Sequence, residues 1–156
     1  IAYDLRSQEW DIPGTELTDD LEYLLSKADF VSLHIPSTEK TKGMFDHSMF
    51  QKMKENSFFI NCARGDLYVE GDLIRALKEG HLAGAALDVY SQEPLKESPL
   101  LEMDQVILSQ HNAGLSEESK EKMSLYAAMG VDQVLSGKIP QWPVNHPQKI
   151  NGGGEV

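Results

Sequence analysis

Residues 57–89 read SFFINCARGDLYVEGDLIRALKEGHLAGAALDV, two apolar runs enclosing one amphipathic segment. Ser57 to Asn61 carries Phe58, Phe59 and Ile60 in succession, and Leu82 to Val89 is uninterrupted small and apolar sequence. Between them Leu73, Ile74 and Leu77 recur at the three- and four-residue spacing of a helix face, which Gly80 can end. Strand, helix, strand is the unit from which parallel sheets are built, because a parallel return needs a crossover of about a dozen residues.

The same unit repeats outward. Upstream, Thr18 precedes Leu21, Leu24, Leu25 and Ala28, which predicts a capped helix, and the mostly apolar Phe30 to Ile35 follows as a strand. Asp46 can cap a short helix whose Met49, Phe50 and Met53 share a face. Downstream, Gln105 to Leu108 predicts a fourth strand. Ser116 then caps a long helix with Met123, Tyr126, Ala127, Val131 and Val134 on one side, closing near Gly137. Strands too continuously apolar to have a wet face predict an α/β, doubly wound parallel sheet with helices on both sides. Pro140, Pro143 and Pro147 keep the tail irregular, and Gly152 to Gly154 follows no strand and opens no helix, so it reads as flexible tail rather than a phosphate-cradling loop.

At 156 residues and 40% hydrophobic, the chain has the content of one globular domain with a real core. Its 25 acidic against 14 basic side chains, a formal charge of -11, argue against nucleic acid or an anionic membrane surface as partner. No apolar run approaches the roughly 18 residues of a membrane span, and no secretory signal opens the chain, so a cytoplasmic protein is expected. The single cysteine, Cys62, permits no internal disulfide and fits a reducing compartment. A first residue of Ile1 rather than Met reads as a segment of something longer.

In an open parallel sheet ligands bind beyond the carboxyl ends of the strands. Past Ile60 comes Asn61-Cys62-Ala63-Arg64-Gly65-Asp66, past Val89 comes Tyr90-Ser91-Gln92-Glu93-Pro94, and past Leu108 comes Ser109-Gln110-His111-Asn112-Ala113-Gly114. A guanidinium, a carboxylate and an imidazole thus stand at three successive strand ends. Reducing a 2-oxo acid needs a proton donor to the carbonyl oxygen, and His111 suits that role because imidazole exchanges protons near neutrality. Glu93 can fix the ring and favour its charged form, while the fork of Arg64 can hold a substrate carboxylate in two parallel hydrogen bonds. Each residue alone has a plainer reading: a satisfied loop histidine, a solvated acid, a surface arginine, and for Cys62 a small strand-end side chain. The constellation carries the argument, and it suggests no metal.

Asn61-Cys62-Ala63-Arg64-Gly65, Leu82-Ala83-Gly84-Ala85-Ala86-Leu87-Asp88-Val89, Glu93-Pro94 and His111, with Val31-Ser32-Leu33-His34-Ile35-Pro36 in register, resemble the D-2-hydroxyacid dehydrogenase family, which includes phosphoglycerate, glycerate and hydroxypyruvate/glyoxylate enzymes. The resemblance runs from Ala2 to about Asn145. It implies a partial NAD-binding Rossmann domain over 1–145, with 146–156 a flexible tail. It implies that Arg64 binds the substrate carboxylate, that His111 is the acid/base and that Glu93 pairs with it. It further implies that Asp4 holds the adenosine ribose hydroxyls, favouring NAD over NADP because an acid there repels a 2'-phosphate, although Arg6 lies nearby. His34, Ile35 and Pro36 would flank the adenosine portion. Cys62, Ala63 and Arg64 would line the nicotinamide side with His111, Asp88 would meet the carboxamide, and Ala113 and Gly114 would close that wall.

The family's first strand, glycine-rich turn and first helix do not appear before Ile1. Their absence predicts an open edge beside Ser57 to Asn61, and a segment that alone binds cofactor weakly and turns over nothing. Among substrates, a small 2-hydroxy or 2-oxo acid is expected. Hydroxypyruvate and glyoxylate rank ahead because Trp142-Pro143-Val144-Asn145 looks like the return strand of those reductases. The long helix could serve a homodimer contact. Two other readings are a dinucleotide-sensing module resembling the corepressor within the family, and an inactive remnant of a truncated gene.

Overall fold

A computed structural model describes residues 1–4 and 12–144. The tail at 146–156, Asn145 and Arg6 lie outside the described residues. The chain divides into two units, Ile1–Ala113 and Gly114–Val156.

The first unit is a Rossmann-type α/β arrangement, a parallel sheet with flanking helices. Its elements are β1 (Ala2–Tyr3), β2 (Leu17–Thr18), α1 (Leu21–Lys27), β3 (Phe30–Leu33), α2 (His47–Lys52), β4 (Ser57–Asn61), α3 (Glu70–Lys78), β5 (Leu82–Leu87) and β6 (Val106–Leu108), with short 3-10 turns at Gly65–Leu67 and Pro99–Glu102. Strands β3, β4, β5 and β6 lie side by side in that order, all parallel, while β1 and β2 pair separately, also in parallel.

This order corrects the open edge expected at Ser57 to Asn61. β4 is paired on both sides, through Phe59 to Val31 and to Ala85, and the outer strands of the four-stranded sheet are Phe30–Leu33 and Val106–Leu108. Along β4 Ser57, Phe59 and Asn61 are buried while Phe58 is exposed, so among the described residues only one face of this apolar run is covered, where the sequence predicts two.

The registered row Val31, Phe59 and Ala85 faces the helices. It joins Leu25 of α1, Phe50 of α2 and Leu73, Ala76 and Leu77 of α3 in one core. Phe45, Phe50, Phe59 and Tyr68 form its aromatic centre, with ring centroids 5.2 to 5.9 Å apart in tilted and edge-on pairs. The opposite row carries Phe30, Phe58 and Ile107, which are exposed. Phe58 stacks on Phe30 at 5.0 Å there and also lies against Gly84.

Helix ends follow from local chemistry. Asp46 caps α2 by accepting the Met49 N–H, and Gly80 takes φ +74 just past the end of α3, both as the sequence predicts. α1 differs: its cap is Asp20, which accepts from the Tyr23 N–H, and not Thr18. Thr18 belongs to β2, and its hydroxyl accepts from the Asp20 N–H. α3 starts on Val69, whose extended backbone has the cap conformation but whose side chain offers no acceptor. Val69→Ser should therefore stabilise the protein by about 1 kcal/mol, read as a higher urea midpoint at unchanged slope.

In the second unit α4 (Glu117–Leu135) is capped by Ser116, which accepts from the Ser119 N–H, and it closes before Gly137 at φ +72. Met123, Tyr126, Val131 and Val134 are exposed. The expected return strand at Trp142 to Val144 is not found: these residues form bends, and the Trp142 ring packs on Tyr126 at 4.7 Å. Pro143 has no N–H for a ladder, and the Gln141 N–H is taken by the Gln133 side chain at 2.9 Å. Among the described residues no helix is long and apolar enough to cross a membrane.

Candidate active site

Because β3 to β6 are parallel, their carboxyl ends open along one edge, and the loops that follow carry the expected site residues.

The loop after β4 is shaped by a residue that sequence reading left without a role. Asn61 is fully buried; its Oδ1 accepts from the Ala63 N–H at 3.0 Å and its Nδ2 donates to the Arg64 carbonyl at 2.9 Å. A buried amide must find partners, and here it finds them in the turn that presents Arg64. The available signal was a polar side chain ending an otherwise apolar strand. Arg64 itself is exposed, its Nη1 donating to the Ala63 carbonyl at 2.6 Å, and among the described residues it makes no ion pair. Gly65 then lies directly against the next loop, where a Cβ would fall 1.9 Å from the Tyr90 carbonyl carbon.

The loop after β5 begins with Asp88, which is buried. It accepts from the Ser109 hydroxyl at 2.6 Å, the Asn112 N–H at 2.9 Å and the Ala113 N–H at 2.9 Å. Burial works to raise its pKa, but the Ser109 bond and the two amide bonds together outweigh that and hold the carboxyl below its ordinary value. Asp88 thus ties down both flanks of His111. The Glu93-Pro94 peptide is cis. Glu93 accepts from the Tyr90 N–H at 3.2 Å through Oε1, and its Oε2 meets His111 Nδ1 at 2.9 Å. The His111 bond, followed by the Tyr90 amide, depresses the Glu93 pKa.

His111 sits at φ +56, a left-handed backbone rarely taken by residues other than glycine and asparagine, and its side chain is half exposed. With Nδ1 engaged by Glu93, Nε2 is the nitrogen turned to other business. Strain of this kind is held where surrounding bonds over-determine it, and the Asp88 bonds to both following amides do so.

The loop after β3 supplies His34, Ile35, Pro36 and Ser37, which together with Ala63 and Arg64 line a cavity of about 530 Å³. Ser37 was not foreseen; its hydroxyl donates to Asp66 at 2.7 Å and so ties this loop to the Arg64 loop. His34 Nε2 is 2.9 Å from the Ser32 hydroxyl. Cys62 is exposed and does not line the cavity, and Gly114 opens the second unit. Asp4 directly follows β1 in the two-stranded sheet.

Residues 1–113 match the family model described as D-isomer specific 2-hydroxyacid dehydrogenase, NAD binding domain. The chain is 42% identical over 150 residues to a glyoxylate reductase of Thermofilum pendens, covering 93% of this chain and 44% of that protein. It is 41% identical over 134 residues to a D-3-phosphoglycerate dehydrogenase of Methanocaldococcus jannaschii, covering 86% and 26% respectively. The chain therefore spans less than half the length of these relatives. Among solved structures, it resembles the NAD-complexed D-isomer specific 2-hydroxyacid dehydrogenase of Lactobacillus delbrueckii with a TM-score of 0.80 and 30% identity, over 92% of this chain and 48% of that one. It also resembles the NADPH-dependent glyoxylate/hydroxypyruvate reductase of Sinorhizobium meliloti, solved with NADP, with a TM-score of 0.76 and 30% identity, over 89% of this chain and 45% of that one.

Proposed function

Since the chain belongs to the D-isomer specific 2-hydroxyacid dehydrogenase family and carries its NAD-binding domain, we propose that the whole protein interconverts a small 2-oxo acid and its D-2-hydroxy acid with His111 as acid/base. The observation that carries this reading is the 2.9 Å bond between His111 Nδ1 and Glu93 Oε2, which leaves Nε2 to serve a substrate.

The residues present suit a nicotinamide dinucleotide. The cavity of about 530 Å³ has the size of a small-molecule site, with Ile35, Pro36 and Ala63 offering apolar wall and Arg64 a cation. Ala63 and Arg64 would hold the nicotinamide, which when bound would supply the hydride. The chain's own groups do the rest. Arg64 grips the substrate carboxylate through its guanidinium fork. His111 Nε2 gives a proton to the carbonyl oxygen during reduction and takes one back during oxidation, while Glu93 holds the ring and stabilises its charge. Asp88 holds the His111 loop, and a contact to the carboxamide would use lone pairs that its three bonds leave over. Ala113, whose amide Asp88 holds, would close the remaining wall, and Cys62 lies on the Arg64 loop outside the cavity.

Asp4 favours NAD, because an acid placed after the second strand of such a sheet bonds ribose hydroxyls and repels a 2'-phosphate. Hydroxypyruvate and glyoxylate stand first as substrates, on the likeness to the glyoxylate reductase of Thermofilum pendens and the glyoxylate/hydroxypyruvate reductase of Sinorhizobium meliloti. The exposed Met123, Tyr126, Val131 and Val134 of α4 support pairing of two copies through that helix.

The test is dinucleotide oxidation by the full-length protein against glyoxylate, hydroxypyruvate, phosphohydroxypyruvate and bulkier 2-oxo acids, with NADH and NADPH in parallel. Fastest turnover is expected with NADH and one of the first two acids. NADH binding without turnover of any acid would replace this reading with a dinucleotide-sensing module.

A further inference from the structure

Three loops meet at Tyr90. Its phenol hydroxyl lies 2.7 Å from the Ser109 carbonyl and 3.0 Å from the Leu87 carbonyl, so its single proton is shared between the loop bearing His111 and the end of β5. Its N–H donates to Glu93 Oε1 at 3.2 Å. Its carbonyl packs so tightly under the Arg64 loop that a Cβ on Gly65 would sit 2.0 Å from the carbonyl oxygen. One residue thus touches the segments that carry Arg64, Glu93 and His111.

We infer that Tyr90 is a positioning residue for the proposed reaction, its phenol setting the His111 loop against Glu93 while its amide holds Glu93 in place. The inference rests on the reading of His111 as acid/base. The phenol acts at Ser109, two residues ahead of His111, and the amide acts on the carboxylate that His111 must meet. Loss of either lets the 2.9 Å bond open from one side. Tyr90 is only 9% exposed, so water does not readily take the place of either contact. Burial, opposed by the Ser109 bond but aided by the Asp88 and Glu93 carboxylates, pushes the phenol pKa up, so the hydroxyl remains a donor throughout the range in which an imidazole titrates. Tyr90 meets the Arg64 loop at Gly65 through its main-chain carbonyl.

The structure provides a matched control in the same core. Tyr68 is 4% exposed, and among the described residues its hydroxyl has no hydrogen-bond partner. Removing that oxygen alters core chemistry without removing a hydrogen bond to the site loops.

In the full-length protein, Tyr90→Phe should lower kcat about 10-fold, less than the roughly 100-fold that an ångström of misplacement can cost, with KM for the 2-oxo acid within about twofold. The Glu93 carboxyl, followed by carbon NMR, should titrate at higher pH in that variant, because the His111 bond that depresses it is loosened. Tyr68→Phe should leave kcat and the Glu93 titration unchanged. An unaltered Glu93 titration in Tyr90→Phe, or equal changes in both variants, overturns the inference. A wild-type protein that turns over no 2-oxo acid defeats the proposed reaction, and the Glu93 titration then still decides whether Tyr90 sets the pair.

Discussion

His111→Gln should reduce kcat by about 10²- to 10⁴-fold while changing KM for the 2-oxo acid by less than about threefold, in steady-state assays of the full-length protein. Glutamine carries its amide at about the reach of Nε2 and has no donor where Nδ1 stands, so the Glu93 bond is lost while the Asp88 bonds to the Asn112 and Ala113 amides keep the loop's shape. What it lacks is a group that exchanges a proton near neutral pH. The carboxylate grip of Arg64 comes from another strand end and should survive, which is why the loss falls on kcat. An equal loss in KM would mean that His111 binds rather than transfers. A loss below about tenfold would mean that the proton comes from elsewhere.

The same variant has a signature in stability. Glu93 is held below its ordinary value of 4.5 in the folded protein, first by His111 and then by the Tyr90 amide. A depressed carboxyl contributes stability that is present above its unfolded pKa and is lost as pH falls through the folded value. Replacing His111 removes the larger cause. Denaturation midpoints of the variant should therefore depend less on pH below about 4.5 than those of the wild type.

Much of this site is legible in the chain, because strand-end chemistry is written locally. Arg64, Glu93 and His111 each follow an apolar run by a few residues, and parallel pairing alone puts such residues on one edge. The pattern for β4 reappears with its bounds unchanged, that for β5 ends two residues early at Leu87, and the Leu73, Ile74 and Leu77 stripe falls within α3. What stays hidden depends on partners distant in sequence. Nothing near Asp88 announces that it will accept from Ser109, Asn112 and Ala113, and the turn-forming bonds of Asn61 appear only once the loop is folded. Strand order is hidden for the same reason. Residues 17–18 are too short to show an alternation, so Thr18 reads as a cap until β1 is seen beside it. Trp142 to Asn145 resembles the return strand of the family's reductases, but a strand needs a neighbour with free ladder groups, and none is paired to Trp142–Val144 among the described residues.

Gly65→Ala should be the most damaging small substitution in the domain, costing about 3 kcal/mol or more of stability and about 100-fold or more in kcat/KM. The argument is geometric. A methyl at that position falls 1.9 Å and 2.0 Å from the Tyr90 carbonyl carbon and oxygen and 2.6 Å from the Ser91 nitrogen. All three are backbone atoms, which cannot rotate aside as a side-chain tip could. Relief requires the Arg64 loop and the Tyr90 loop to part, and both are held: the first by the buried Asn61 amide, the second by the Tyr90 hydroxyl on Ser109 and Leu87. Separation of the loops moves the guanidinium away from the His111–Glu93 pair, so both kcat and KM should suffer, unlike the kcat-dominated loss at His111. Gly71→Ala is the internal comparison, since a Cβ there meets nothing within 4 Å and lies in the first turn of α3, where alanine is the better helix former. It should leave activity intact and raise stability by a few tenths to about 1 kcal/mol. Urea denaturation and kcat/KM measured on the two variants together separate the cases. A Gly65→Ala protein as stable and active as Gly71→Ala would mean that the Arg64 and Glu93 loops are not in contact, and the convergence of the three strand ends would lose its physical basis.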